Sequence, residues 1–264
     1  MALGNLAIKE DAPKANAYDD VPYQSFSYPQ THPEHLYTVA RLFGMKDIPD
    51  FRRAKILELG CASGGNLLPL ACLYPDCEMT GIDLSEEQIR EGQKHIENLG
   101  LENITLEQKN IMDVTPEFGT FDYILVHGIL SWVPEEVGDK ILSICKENLS
   151  ERGLAVVSYN TLPGWNFVKS LRDMMLYHTE RFTDPKEAIT QARALLEFLY
   201  ENAQSEAYKK VIEGERQLLS KVNDSYLFHD HLETINRQFY FHEVAGAMND
   251  KGLQYVGDSA YTAM

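Results

Sequence analysis

Residues Leu57–Asn66 read LELGCASGGN: an apolar, strand-like run carrying one acid, Glu58, that opens into a glycine-rich turn. Glycine turns after strands commonly cradle phosphate, using backbone N–H groups at the start of the following helix. Glu58 stands two residues before the first glycine, where a carboxylate would oppose a phosphate. The ligand of this turn therefore decides both the fold and the function.

Outward from the turn, strands and helices alternate. Lys55–Leu59 reads as a buried strand, followed by the turn and an apolar helix to about Leu73. Cys77–Ile82 is a second strand ending in Asp83. Ser85, with Gln88 three residues on, opens a helix that Gly100 closes. Ile104–Gln108 and Phe121–Val126 are the third and fourth strands, and a helix over about Glu135–Asn148 leads to a fifth, Leu154–Tyr159. Alternation of this kind predicts an α/β, doubly wound and mainly parallel sheet. After Tyr159 roughly seventy residues carry helical periodicity without a strand, including an Asp184-Pro185-x-Glu187 helix start. This predicts a helical insertion after the fifth strand, with a sixth strand at Leu253–Val256. Upstream, Leu36, Val39, Ala40, Leu42 and Phe43 share a helical face that Gly44 ends. The expected organisation is an N-terminal arm and lid helix (1–45), a cofactor-binding core (46–165), a helical insertion (166–240) and a return to the core (241–264).

Composition narrows the function classes. The chain has 264 residues, 44% hydrophobic and 24% charged, with a formal charge of −16. Such acidity disfavours nucleic acid as a partner and suits a cationic ligand or a basic protein. No apolar run approaches the ~18 residues of a membrane span. Cys61, Cys72, Cys77 and Cys145 form no CxxC pair, which points to a reducing, cytoplasmic setting. His229-Asp230-His231 lacks further well-spaced ligands and reads as structural, with no metal expected.

Two cofactor classes use a strand, a glycine turn, a helix and an acid ending the second strand. Gly60-x-Ala62-x-x-Gly65 followed by Asp83 loosely fits a dinucleotide fingerprint. Glu58 argues against a pyrophosphate there by roughly 1 kcal/mol or more. S-adenosylmethionine, with a sulfonium and an ammonium against one carboxylate, has the opposite preference.

The motif Glu58-Leu59-Gly60-x-Ala62-x-Gly64 resembles the first motif of class I S-adenosylmethionine-dependent methyltransferases, with alanine at the middle glycine. Gly81-Ile82-Asp83-Leu84-Ser85 resembles their second, in which the acid takes both ribose hydroxyls. Asn110-Ile111-Met112-Asp113 stands where the family places an adenine-binding acid and an apolar neighbour; either Asn110 or Asp113 could make that contact. The resemblance implies a Rossmann-like fold and cofactor contacts from Glu58, Gly60, Cys61, Ala62, Gly64, Asn66, Asp83, Leu84, Asn110, Ile111 and Asp113. Asn66 reads equally well as a helix cap.

Tyr18–Ser25 with Thr31–Leu36, His127–Pro134, Tyr159–Trp165 and Leu227–Val244 together resemble one bacterial group, whose catalytic core is followed by a methyltransferase regulatory domain. Some of its members methylate lysines of outer-membrane proteins. Within these segments Tyr18 and Tyr23 are candidates for a lid, His127, Gly128 and Trp132 for further cofactor contacts, and Trp132, Tyr159 and Trp165 for the acceptor side. The implied activity is methyl transfer from S-adenosyl-L-methionine, leaving S-adenosyl-L-homocysteine, to a nucleophile such as a protein lysine. The alternatives are a small-molecule O- or N-acceptor, or a non-catalytic cofactor-binding module. No residue stands out as a general base. Because the group's sequences continue further, the chain reads as a fragment or a version without the regulatory part, and its oligomeric state stays open.

Overall fold

The computed structural model describes residues 25–260, so the lid candidates Tyr18 and Tyr23 lie outside the described residues. The sheet has five parallel strands: β1 (Lys55–Leu59), β2 (Glu78–Asp83), β3 (Ile104–Gln108), β4 (Phe121–Val126) and β5 (Leu149–Val157), in the order β3-β2-β1-β4-β5. Alternation along each strand builds two cores. Ile56, Met79, Leu106, Tyr123 and Leu125 face one side, while Leu57, Leu59, Ile82, Ile124 and Val126 face the other. Helices α1 (Pro33–Leu42), α2 (Leu67–Leu73) and α3 (Glu86–Leu99) cover the first face, and α4 (Glu135–Glu147) covers the second. Strands buried on both faces explain why they read as near-continuous apolar runs.

Local signals set the helix ends. The Ser85 side chain accepts from Gln88 N, and Gly100 closes α3 at a left-handed φ of +63°. Expected and observed strands coincide for β1, β3 and β4; β5 begins earlier, at Leu149. Helix α1, expected as a lid helix, packs one face against the sheet. Leu36 and Ala40 are buried in the sheet's core, whereas Leu42 and Phe43 are exposed. Its apolar face adds a helix to the layer that covers this side of the sheet.

After β5 the chain passes through β6 (Asn160–Thr161) into α5 (Trp165–Thr179), α6 (Pro185–Asn202), α7 (Glu206–Leu219) and α8 (Asp224–His231). Asp184 caps α6 by accepting from Lys186 N. These helices bury Leu171, Met175, Ile189, Leu196, Ile212 and Leu227 in a core of their own. The return runs through β7 (Gln238–Phe239) to α9 (Phe241–Asp250), and β7 pairs in parallel with β6. The lobe therefore leaves and re-enters through a two-stranded neck that periodicity did not reveal.

The expected sixth strand is absent: Leu253–Val256 is irregular. A strand needs a neighbour for its N–H and C=O groups, and the described sheet ends at β5. Leu253 and Val256 instead rest their side chains against the two sheet cores.

Candidate cofactor-binding crevice and acceptor edge

Strand order reverses between β1 and β4, and in open α/β sheets ligands bind beyond the carboxyl ends of the strands at such a switch point. The glycine turn lies there. Gly60 has φ +70°, and a Cβ on it would come within 2.3 Å of Ile129 Cδ1, so a side chain is excluded on two grounds. Ala62 adopts φ +47° despite its Cβ, a conformation costing about 1 kcal/mol. Asp83 holds it there: Asp83 Oδ2 accepts from Ala62 N (2.8 Å), and Oδ1 from Ser85 N (2.9 Å).

Four more of the turn's backbone donors are engaged. Gly60 N and Cys61 N both donate to Ile82 O, Gly64 N to Cys61 O and Gly65 N to Ser25 Oγ. A phosphate-binding loop aims these groups at its ligand; this one spends them within the chain. Cys61 is buried, and its thiol pKa is pushed well up, by desolvation first and then by the charges of Glu58 and Asp83. It packs as a small residue against Gly81, with no thiolate available for chemistry.

Glu58 is 4% exposed, and its Oε1 accepts from Asn66 Nδ2 at 2.8 Å. Its Oε2 is buried without a partner among the described residues. Burial pushes its pKa up to about 8; the Asn66 bond works against this shift, and the Asp83 charge adds to it. The free chain thus holds Glu58 mostly protonated at neutral pH. The engaged loop donors, more than a standing negative charge, oppose a pyrophosphate.

Asn66 also joins the turn to the segment before α1. Its Oδ1 accepts from Tyr28 N (3.0 Å) and from Thr31 Oγ1 (3.3 Å). A Cβ on Gly65 would meet the Ser25 carbonyl carbon at 2.7 Å, so this segment crosses directly over the turn. Ser25, Tyr28 and Thr31 were not singled out in the sequence because nothing in their spacing points to a loop forty residues away.

On the β2–β3 side, Lys109 N donates to Asp83 O (2.8 Å) and Gln108 Nε2 to Leu84 O (3.3 Å), bringing Asn110–Asp113 beside Asp83. Asn110 Oδ1 is engaged as a cap, accepting from Met112 N at 2.9 Å. Asp113 is exposed, as is Leu84, and Ile111 is half-buried.

On the other side, Leu59 pairs with Val126, so His127 emerges beside Gly60. Burial lowers the His127 pKa and keeps the imidazole neutral. The Tyr28 ring lies 4.0 Å from it, and Gln30 Nε2 is 3.5 Å from its Nε2. Gly128 N donates to Ser158 Oγ (2.8 Å), tying the ends of β4 and β5 together.

The three acceptor-side candidates lie along this edge and are all half-buried. Trp132 and Trp165 meet edge to face at 6.2 Å, and Tyr159 meets Phe239 at 6.0 Å. Ser131 links the segments: its Oγ accepts from Asn160 N (2.8 Å) and its carbonyl from Arg237 N (2.6 Å). Ser131 and Phe239 carry no sequence signal of their own. In the lobe, His231 Nε2 is 2.6 Å from Glu215 Oε1, both residues buried. Among the described residues no group of three or more His, Cys, Asp or Glu is arranged to hold a metal ion, and no helix is long and apolar enough to cross a membrane.

Comparison with known proteins gives the same assignment. The family described as "Methyltransferase domain" matches residues 50–216, and "Predicted methyltransferase regulatory domain" matches residues 223–264. Part of the regulatory domain thus falls on the last lobe helix and the return. The chain is 49% identical over 251 residues to the Rickettsia prowazekii (strain Madrid E) protein RP789, covering 94% of this chain and 45% of that protein. It is 40% identical to RP028 of the same strain, covering 86% and 91%. The structure of PKMT2 from Rickettsia typhi superposes with a TM-score of 0.83 at 39% identity, covering 92% of this chain and 47% of that one. The same protein is also known in complex with AdoHcy, at the same TM-score, covering 90% and 46%. The chain spans about half the length of RP789 and PKMT2. It belongs to the class I S-adenosylmethionine-dependent methyltransferases, in the group that joins a methyltransferase domain to a methyltransferase regulatory domain.

Proposed function

We propose that this chain binds S-adenosyl-L-methionine in the crevice between Asp83 and His127 and transfers its methyl group to a protein lysine. The observation that carries the reading is the pairing of Asp83, fixed by two backbone N–H groups, with Glu58, whose buried Oε2 lacks a partner. The first fits a ribose diol, since a carboxylate is an acceptor with two oxygens and about four lone-pair sites. The second fits the cationic methionyl end, which would give Glu58 Oε2 the partner it lacks among the described residues. Leu84, Ile111 and either Asn110 or Asp113 would then hold the adenine, and the turn from Gly60 to Asn66 would hold the ribose and methionyl chain. When bound, the cofactor supplies an electrophilic methyl on a sulfonium.

The chain's own part is to position a nucleophile in line and exclude water. Ser25–Thr31 covers the turn, and Trp132, Tyr159 and Trp165 wall the acceptor side. A lysine must shed a proton from a group with pKa about 10.4; burial at this edge lowers that pKa, while the rings hold the ammonium before the proton leaves. His127 adds a neutral imidazole on the same edge. The lysine assignment draws on the likeness to PKMT2 and on the aromatic edge. A chain with its cysteines free suits the reducing cytoplasm.

The test is methyl transfer from radiolabelled S-adenosylmethionine into a bacterial lysate, with protein and small-molecule fractions counted separately. Label in lysine of the protein fraction is expected. Label confined to small molecules would overturn the lysine assignment, and label in neither would leave a non-catalytic module.

A further inference from the structure

The helical lobe sends its return strand back to the edge where the acceptor candidates sit. Phe239, in β7, meets Tyr159 at 6.0 Å with the rings perpendicular. The Arg237 guanidinium lies 5.1 Å from the Phe239 ring centre, with Nη2 3.6 Å from Glu135. Ser131, 2% exposed, fastens this strand to the sheet edge through Arg237 N and fastens Asn160 through its hydroxyl. Phe239 is half-buried like the other three rings, so part of its surface stays open at this edge. The side-chain amides Asn160 Nδ2 and Asn236 Nδ2, in the two segments of this neck, are buried without acceptors among the described residues. Each leaves a donor for a further group, such as an ordered water.

We propose that the lobe's return strand forms the outer wall of the acceptor subsite, with Phe239 a specificity-determining residue for an alkylamine and Ser131 the residue that positions it. This rests on the methyltransferase reading and extends it to the lobe. Aromatic faces attract an alkylammonium and give a neutral alcohol of equal length no such gain. The lobe therefore contributes to acceptor choice.

The chain's two tryptophans, Trp132 and Trp165, both lie at this edge, so intrinsic tryptophan fluorescence reports on the site alone. With S-adenosylhomocysteine saturating, titration with n-butylamine hydrochloride should give a saturable change that n-butanol does not. Phe239→Ala should weaken that response about tenfold, the size of one aromatic–cation contact, and Ser131→Ala, which keeps the carbonyl on Arg237 N and loses only the hydroxyl on Asn160 N, by less. Phe239→Leu, which keeps bulk without the ring, should weaken it as well, and Phe239→Tyr should restore it. Affinity for S-adenosylhomocysteine, read separately by calorimetry, should stay unchanged in every variant. Equal n-butylamine affinity in Phe239→Ala and the unsubstituted chain, or an equal response to n-butanol, would overturn the proposal. Failure of the unsubstituted chain to bind S-adenosylhomocysteine would overturn the methyltransferase reading, and this proposal with it.

Discussion

Glu58 keeps one oxygen on Asn66 and the other buried without a partner among the described residues, and its raised pKa makes its charge depend on the ligand. A cationic ligand draws off its proton. Affinity for S-adenosylmethionine should therefore rise with pH from 6 towards 8, by at most about tenfold per unit, and level off above that. Calorimetry in buffers of different ionisation enthalpy checks the proton release, and Glu58→Gln should flatten the profile. Stability runs the other way. Folding raises this pKa, so the group's contribution is whole below about pH 4.3 and is lost as pH rises through about 8. Thermal melts of the free chain and of Glu58→Gln should diverge across that window. At Ala62, relief of the φ +47° strain by Ala62→Gly offsets the entropy a glycine adds to the unfolded chain. Its melting temperature should move by no more than a few degrees. Glu58, Asp83 and the glycines were legible because turn chemistry is local in sequence. Ser25, Ser131 and Phe239 were not, because each acts through a partner set by the tertiary fold.

Among the elements, β1 to β4 were legible because buried strands are apolar runs bounded by turn residues, and α3 and α6 because their caps are written into the sequence. The neck strands β6 and β7 are two residues each, too short for any period to show. Leu253–Val256 has strand composition but no strand beside it, and composition cannot supply a neighbour. The segment from Ser25 to Thr31 is held over the turn mainly by polar contacts. Gly65→Ala should push it off, because the added Cβ would overlap Ser25. Hydrogen exchange of residues 25–31 should accelerate while β1 and β4 keep their protection. Unchanged exchange in that segment would show that it is held by something other than the turn.

Across the whole molecule, two cores sandwich the sheet and a third fills the lobe. The sheet carries the crevice, while the lobe meets it through the neck and Ser131. Leu171→Ala, at a residue 1% exposed within the lobe core, should cost about 2–5 kcal/mol. Denaturation followed by hydrogen exchange should place that loss in α5–α8, with the β1–β4 crevice keeping its protection. The central claim, that the turn at Gly60 and the acid at Asp83 form an S-adenosylmethionine site, is tested most directly by calorimetric titration of this chain with S-adenosylhomocysteine. Saturable binding in the unsubstituted chain, weakened at least tenfold by Asp83→Ala, is the predicted result. No heat of binding up to millimolar ligand, or an unchanged affinity in Asp83→Ala, would contradict it.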